Sequence, residues 1–332
     1  MKKVCITGAG GYIASWVIKL LLTKGYIVHG TVRDPCDEKK NGHLKKLENA
    51  EEKLHLFKAD LMDYEGLVAA FAGCNGVLHV ASPVPDSRHI PNPQVELLDP
   101  AILGTQNVLN ACLNAKVKKV VVVSSGSAVL ANPDWPSEQE MDESCWTDIE
   151  YAKSTQNWYA VSKTLAEIEA MKFANQDDMA VVTICPSMVI GPMLQSTINT
   201  TSLLLLSYMR EEGRKGGDTM ENTERPYVDV RDLSEAILLL YENHELKGRY
   251  ICSAYSLRTK DFVTKLESMF PGYSYPNMFT EKKDRALFSS SKLQNLGWNY
   301  RPLEETVGDP IRCYEDGGYL KKGKPFPSTL RF

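Results

Sequence analysis

The chain has 332 residues, 43% apolar and 24% charged, enough for one large domain or two interlocked ones. Its formal charge of −4 argues against a nucleic-acid or anionic-membrane surface as its main business, and its longest apolar stretch, SLLLLSYM around Leu203, is far too short to span a bilayer. The eight cysteines are scattered without a CxxC pair, and MKKVCITG is reached without an apolar leader; this fits reduced thiols in a cytoplasmic protein with no disulfide framework and no metal site.

The first residues form a short β-branched run, pass through glycines and turn to helical periodicity, with Ile13, Val17, Leu20 and Leu21 on one face. YIVHGTVRDP predicts a second strand stopped by Pro35. KLHLFKADL predicts a third, GVLHVASP a fourth, VKKVVVVSS a fifth and MAVVTICPS a sixth. Helices are predicted over 64–72, 101–115 and 158–174. Strands alternating with helices imply parallel βαβ units, and uniformly apolar strands imply a sheet covered on both faces. Right-handed crossovers then give an α/β fold with a Rossmann-type doubly wound parallel sheet.

After Pro186 the pattern loosens. VIGPMLQSTINTTS reads as a loop leading into a helix, PYVDVRDLSEAILLLYEN as a helix with Asp229 or Asp232 as its cap, and GRYICS as one more strand. Residues 1–185 are assigned to a cofactor domain to which 228–253 return. Residues 186–227 and 254–332 are assigned to a smaller substrate-binding C-terminal lobe.

Gly8, Gly11 and Ala14 follow the first strand and open the first helix. Gly8 permits the tight turn, Gly11 lets backbone approach a pyrophosphate, and Ala14 keeps helix and strand close. This is a dinucleotide site, and Tyr12 and Ile13 at the helix start belong to it. An NAD site places an acid at the end of strand two. Here the first polar side chain is Arg33, with Lys39 and Lys40 close behind. A guanidinium pairs a 2′-phosphate bidentately, so NADP (NADPH) is expected, although Asp34 could still serve a ribose hydroxyl. Asp60, before Leu61, is a candidate for the adenine amino group or, equally, a helix cap. After Val80, Ala81 and Ser82 are small where ribose and pyrophosphate cross the sheet.

Strand five ends in SSGS, placing Ser124 or Ser125 at the carboxyl edge where such sheets carry their sites. Tyr159 and Lys163, i and i+4, share a helix face. A free tyrosine titrates near pH ~10, and moving it close to ~7 takes roughly 4 kcal/mol. One cation about 4 Å away, at an effective dielectric near ~20, supplies about that much. The phenol can therefore donate a proton while hydride reaches a carbonyl carbon and a serine hydroxyl holds the oxygen.

The glycine turn, SS, YAVSK and PYVDVRDL together resemble the extended short-chain dehydrogenase/reductases. TVRDP, KADL, HVASP, DESCW, NWYAVSKTLAE, GRYIC and LGWNYRPLEET narrow this to the plant branch of cinnamoyl-CoA reductases, dihydroflavonol reductases and phenylacetaldehyde-type reductases. The resemblance implies that Ser125 is the catalytic serine, Tyr159 the proton donor and Lys163 its partner. It implies that Asn107, in GTQNVL, supports the proton relay. It also puts Arg33 and Lys40 at the 2′-phosphate, and Pro186 and Val189 beside the nicotinamide.

The departures bear on substrate. Cinnamoyl-CoA reductases typically read NWYCYGK, and here Ala160 and Ser162 differ. Their loop after GP carries a histidine, which GPMLQSTINTTS lacks. Dihydroflavonol reductases place an asparagine where this chain has Leu130. The expected reaction is NADPH-dependent reduction of an aromatic, phenylpropanoid-like aldehyde or ketone, with a cinnamoyl-CoA thioester next and a dihydroflavonol after it. From other classes, Arg33 and Leu130 count against a sugar-nucleotide epimerase or dehydratase, and the intact triad against an inactive NADP-binding protein. Val84, Leu130, Met188 and Gln195 are the expected pocket lining. The expected partner is a small-molecule carbonyl substrate, with the protein a monomer or homodimer.

Overall fold

The computed structural model describes residues 2–83, 90–174, 179–209, 219–282 and 287–321. In chain order its first half runs β1 (Lys3–Ile6), α1 (Tyr12–Thr23), β2 (Ile27–Val32), α2 (Glu38–Lys45), α3 (Ala50–Lys53), β3 (Leu54–Lys58), α4 (Tyr64–Phe71), β4 (Gly76–His79), α5 (Asp99–Asn114), β5 (Lys119–Val123), α6 (Ile149–Ser154), α7 (Trp158–Phe173) and β6 (Ala180–Pro186). The second half runs β7 (Met188–Ile190), α8 (Thr200–Ser207), β8 (Thr219–Asn222), β9 (Glu224–Asp229), α9 (Val230–Glu242), β10 (Gly248–Cys252), β11 (Tyr255–Arg258), α10 (Thr259–Met269), β12 (Met278–Glu281), α11 (Ser291–Gln294) and α12 (Leu303–Asp316).

Seven strands form one parallel sheet in the order β10-β6-β5-β4-β1-β2-β3. Period-two alternation sends its side chains into two separate cores. Val4, Ile6, Val121 and Val123 join Val17 and Leu21 of α1 and Leu233, Ile237 and Leu240 of α9. Cys5, Val120 and Val122 join Leu67 and Phe71 of α4 and Val108, Leu109 and Cys112 of α5 on the other face. Each fully buried Val, Leu or Ile contributes about 1.5–3 kcal/mol, so both faces resist exposure. On α1 the buried stripe is centred on Val17 and Leu21, while Ile13 and Leu20 are only partly buried against it.

The chain reverses its strand order between β1 and β4, which opens a crevice at their carboxyl ends. Over that crevice stands a third core, formed by Ile190, Leu205, Tyr208, Tyr227, Phe262, Val307, Ile311 and Tyr314. Its sheet is β11-β9-β7, beside a separate β12-β8 pair.

Two sequence expectations change here. PYVD is strand rather than helix: β9 ends at Asp229, whose carboxylate accepts from Arg231 N at 2.8 Å and caps α9. Asp232 is no cap, because its carboxylate accepts from Arg301 N at 2.9 Å and from the Arg301 guanidinium. Val189 and Ile190, expected as loop, lie in strand β7 because β9 pairs with it in parallel from far along the chain. Among the described residues no helix is long and apolar enough to cross a membrane, and no cluster of side chains could hold a metal ion.

Candidate active site

The glycine turn is built for close approach. Gly8 has φ +68°, and a Cβ there would stand 3.0 Å from the Ala81 side chain. A Cβ on Gly10 would stand 2.7 Å from Asn41 Oδ1. Gly11 N donates to Gly8 O at 2.9 Å, and Ala14 is fully buried behind the turn. Gly11 begins α1 without a side-chain cap, and its first turn holds no acid. The helix therefore offers free N–H groups and the positive end of its dipole to an anion. Tyr12 and Ile13 sit half-buried at this end.

The residues present fit a dinucleotide on the adenosine side as well. Arg33 leaves β2 exposed. Asp34 is exposed too, with Oδ1 accepting from Cys36 N at 2.9 Å. Lys40 is exposed in the first turn of α2, beside Asp37 at 3.8 Å. Sequence reading missed α2, whose polar run carries little periodicity. It is stitched to the glycine turn: Asn41 Nδ2 donates to Asp34 O at 2.7 Å, and Ser15 Oγ meets His43 Nε2 at 2.7 Å. Burial lowers the His43 pKa, so this imidazole is neutral near pH 7.

Asp60 is exposed, with Oδ1 accepting from Met62 N at 3.0 Å. The cap of α4 is Asp63 instead, accepting from Gly66 N at 3.0 Å. Asn107, expected at the proton relay, donates through Nδ2 to Leu61 O at 3.0 Å and ties α5 to the turn after β3.

At the end of β4, Thr7 Oγ1 accepts from Val80 N at 3.1 Å and Ala81 N at 3.0 Å. Its own proton is left for His79 Nδ1, 2.9 Å away. Burial, then the charge of Lys163, lowers the His79 pKa to about 3, so His79 is a neutral wall. His79, Ala81, Ser82, Thr105, Ser124 and Lys163 line one small cavity at the crevice.

The catalytic candidates come from two elements. Asn157 caps α7 through Ala160 N at 3.2 Å, which sets Tyr159 in the first turn. Ser125 stands beside Tyr159 and acts on its pKa. Ser125 Oγ accepts from Ser127 N at 3.1 Å, leaving its proton to donate toward the phenol or a carbonyl. Burial raises the Tyr159 pKa and Ser125 opposes that rise. One turn on, the Lys163 side chain is buried and its Nζ donates to Val123 O at 3.1 Å. Burial lowers its pKa to about 8, with Glu167 acting in the opposite direction. Ser124 turns away from this face, donating to Glu167 Oε2 at 2.7 Å.

The nicotinamide-side candidates Pro186 and Val189 are buried, while Met188 is half-buried against the third core. The connection after β7 crosses the cofactor crevice. Tyr12 OH donates to Gly191 O at 2.9 Å, Trp16 Nε1 to Pro192 O at 2.7 Å, and Ser196 Oγ to Lys39 O at 2.9 Å. Within this strap Gln195 is 9% exposed, and both atoms of its amide lack a partner among the described residues. Leu130, expected in the pocket, is 40% exposed, because the 3-10 turn Gly126–Ala128 carries it outward. Val84 lies outside the described residues. Glu167 and Arg249, which sequence reading passed over, form a buried ion pair at 2.8 Å. Its one sequence signal was the i+4 spacing of Glu167 from Lys163.

Comparison with known proteins agrees with this geometry. The sequence pattern of the NAD dependent epimerase/dehydratase family matches residues 4–252. The chain is 42% identical to cinnamoyl-CoA reductase 1 of Petunia hybrida over 321 residues, covering 96% of this chain and 93% of that protein. Vestitone reductase from alfalfa (Medicago sativa) superposes with a TM-score of 0.83 at 31% identity, covering 96% of this chain and all of that one. The yeast methylglyoxal/isovaleraldehyde reductase Gre2, solved with NADPH, superposes with a TM-score of 0.79 at 25% identity, covering 96% and 100%.

Proposed function

The chain belongs to the NAD-dependent epimerase/dehydratase family, the extended short-chain dehydrogenase/reductases, as an NAD(P)-dependent carbonyl reductase of the plant cinnamoyl-CoA reductase-like branch, and from that premise we propose that it uses NADPH to reduce an aromatic, phenylpropanoid-like aldehyde or ketone. The observation that carries the chemistry is the contact between Tyr159 and Ser125 with Lys163 one turn away. NADPH, when bound, supplies the hydride. The uncapped start of α1 would hold its pyrophosphate, and Arg33 with Lys40 would hold its 2′-phosphate.

Ser125 donates to the substrate carbonyl oxygen, and Tyr159 gives that oxygen its proton as the carbon takes hydride. The Lys163 ammonium stabilises the tyrosinate left behind.

The substrate reading rests on the strap. It carries Gln195, follows Met188 of β7, and has no histidine to meet a thioester. The family names allow a second reading, since the Petunia relative is a cinnamoyl-CoA reductase. Following NADPH absorbance with aromatic aldehydes and ketones, hydroxycinnamoyl-CoA esters and dihydroflavonols side by side separates the two. The carbonyl compounds should give a kcat/KM at least about tenfold above the thioesters, about 1.4 kcal/mol of transition-state discrimination. Faster turnover of the thioesters would overturn the assignment.

A further inference from the structure

Tyr159, Lys163 and Glu167 stand at i, i+4 and i+8 on α7, so they form one line down its buried face. The first two meet the reacting atoms. Glu167 sits deeper, 1% exposed, and its carboxylate is fully engaged. Oε1 accepts from Thr183 Oγ1 at 2.6 Å and Arg249 Nε at 2.8 Å. Oε2 accepts from Ser124 Oγ at 2.7 Å and Arg249 Nη2 at 3.3 Å. The Cys185 thiol lies 3.3 Å and 3.4 Å from the two oxygens.

Arg249 is held as firmly. Nη1 donates to Glu143 O at 3.0 Å and Cys145 O at 2.8 Å, and Nη2 to Ala128 O at 3.3 Å. The guanidinium lies 3.4 Å from the Trp146 ring centroid. Strand β10, where the chain returns to the large sheet, thereby grips both α7 and the segment that follows Ser125.

The placement of Ser124 makes this pair more than packing. It lies between Val123, whose carbonyl receives Lys163 Nζ, and Ser125, which stands beside Tyr159. Holding Ser124 therefore fixes both neighbours at once. A buried ion pair is a weak source of stability compared with apolar side chains of the same volume. Here its charge faces a lysine that burial pushes toward neutrality.

We propose that Glu167, clamped by Arg249, is a positioning residue for the reaction: through Ser124 it pins the end of β5 against Tyr159 and Lys163. The other groups facing Lys163 cannot replace it. His79 of β4 is neutral, Cys185 of β6 is a thiol held protonated by burial, and β5 and α5 offer only Ser124, Val123 O and Thr105. Removing the Glu167 carboxylate frees Ser124 and loosens the end of β5 that carries Ser125. Ser125 then no longer opposes the effect of burial on Tyr159, so the tyrosinate forms at higher pH.

The inference rests on Tyr159 as proton donor, and its test needs no carbonyl substrate, so an error in the substrate class leaves the readout untouched. With saturating NADP+, tyrosinate absorbance is titrated in the intact protein and each variant, always as the difference from its Tyr159→Phe counterpart. Glu167→Gln should move the Tyr159 step upward by about one pH unit, a tenfold change in the tyrosinate ratio. The double variant Glu167→Gln/Arg249→Met, which leaves no unpaired buried charge, should move it upward too and guards against misfolding of the single one. Arg249→Met alone leaves Glu167 bonded to Ser124 and should move it upward by less. A folded double variant titrating at the parent pH would overturn the proposal, as would an upward shift in Arg249→Met equal to that in Glu167→Gln.

Discussion

The inner face of α7 and the strap after β7 both reach the crevice, and they are built in opposite ways. On α7, Lys163 and Glu167 each meet a fixed partner on the sheet, and Tyr159 meets Ser125 just beyond the end of β5. On the strap, the backbone is tied down by Tyr12, Trp16 and Ser196, while the amide of Gln195 is buried without a partner. One region is finished before any ligand arrives. The other holds polar groups in reserve, as expected where a ligand completes the bonding. On the proposed reading, reaction chemistry belongs to the first region and substrate choice to the second, so they should respond differently to substitution.

The largest effect is expected on α7. Tyr159→Phe keeps the ring and its packing and removes only the proton donor. The kcat should fall about 10³-fold, while the NADPH dissociation constant stays within about threefold, since binding rests on α1 and Arg33. Stopped-flow turnover and NADPH fluorescence titration read the two quantities separately. A variant that kept more than about a tenth of parent kcat would remove Tyr159 from the mechanism and erase the contrast between the regions.

The same contrast governs what the sequence revealed. The seven-stranded sheet was legible because each strand is a continuous apolar run and its crossovers are local. The glycine turn and the Tyr159–Lys163 spacing were legible for the same reason, being set within one turn or one helix. Strands β7 and β9 were not, because pairing Val189 with Val228 is a contact across the chain that neither segment encodes alone. Arg249 was hidden likewise: nothing in GRYICS points to a carboxylate on α7.

A middle-sized effect is expected at the adenosine end. A bidentate guanidinium–phosphate bond is worth about 1.5–3 kcal/mol. Arg33→Ala should therefore raise the NADPH dissociation constant about 10–100-fold and leave that for NADH nearly unchanged. Lys40→Ala, which loses an exposed point charge, should cost only about threefold. Parallel titrations with both nucleotides would check this, and equal weakening of NADH and NADPH would show that Arg33 does not read the 2′-phosphate.

The smallest effect, and the one that most sharpens the comparison, belongs to Gln195. A buried amide with no partner costs about 1–3 kcal/mol in the free protein. Gln195→Met keeps the side-chain length and removes both polar atoms, so it should stabilise the protein by about 1 kcal/mol and raise Tm by about 2 °C. The equivalent change on α7, at Glu167, strands a buried guanidinium and should destabilise instead. If the reserved amide serves the substrate, the gain in stability comes with a KM raised about fivefold at unchanged kcat, the mark of lost uniform binding. Differential scanning calorimetry and carbonyl-saturation kinetics on one preparation give both numbers. A stabilised variant with parent KM would place Gln195 outside the substrate pocket, and substrate choice would then fall to Met188 and the rest of the crevice wall.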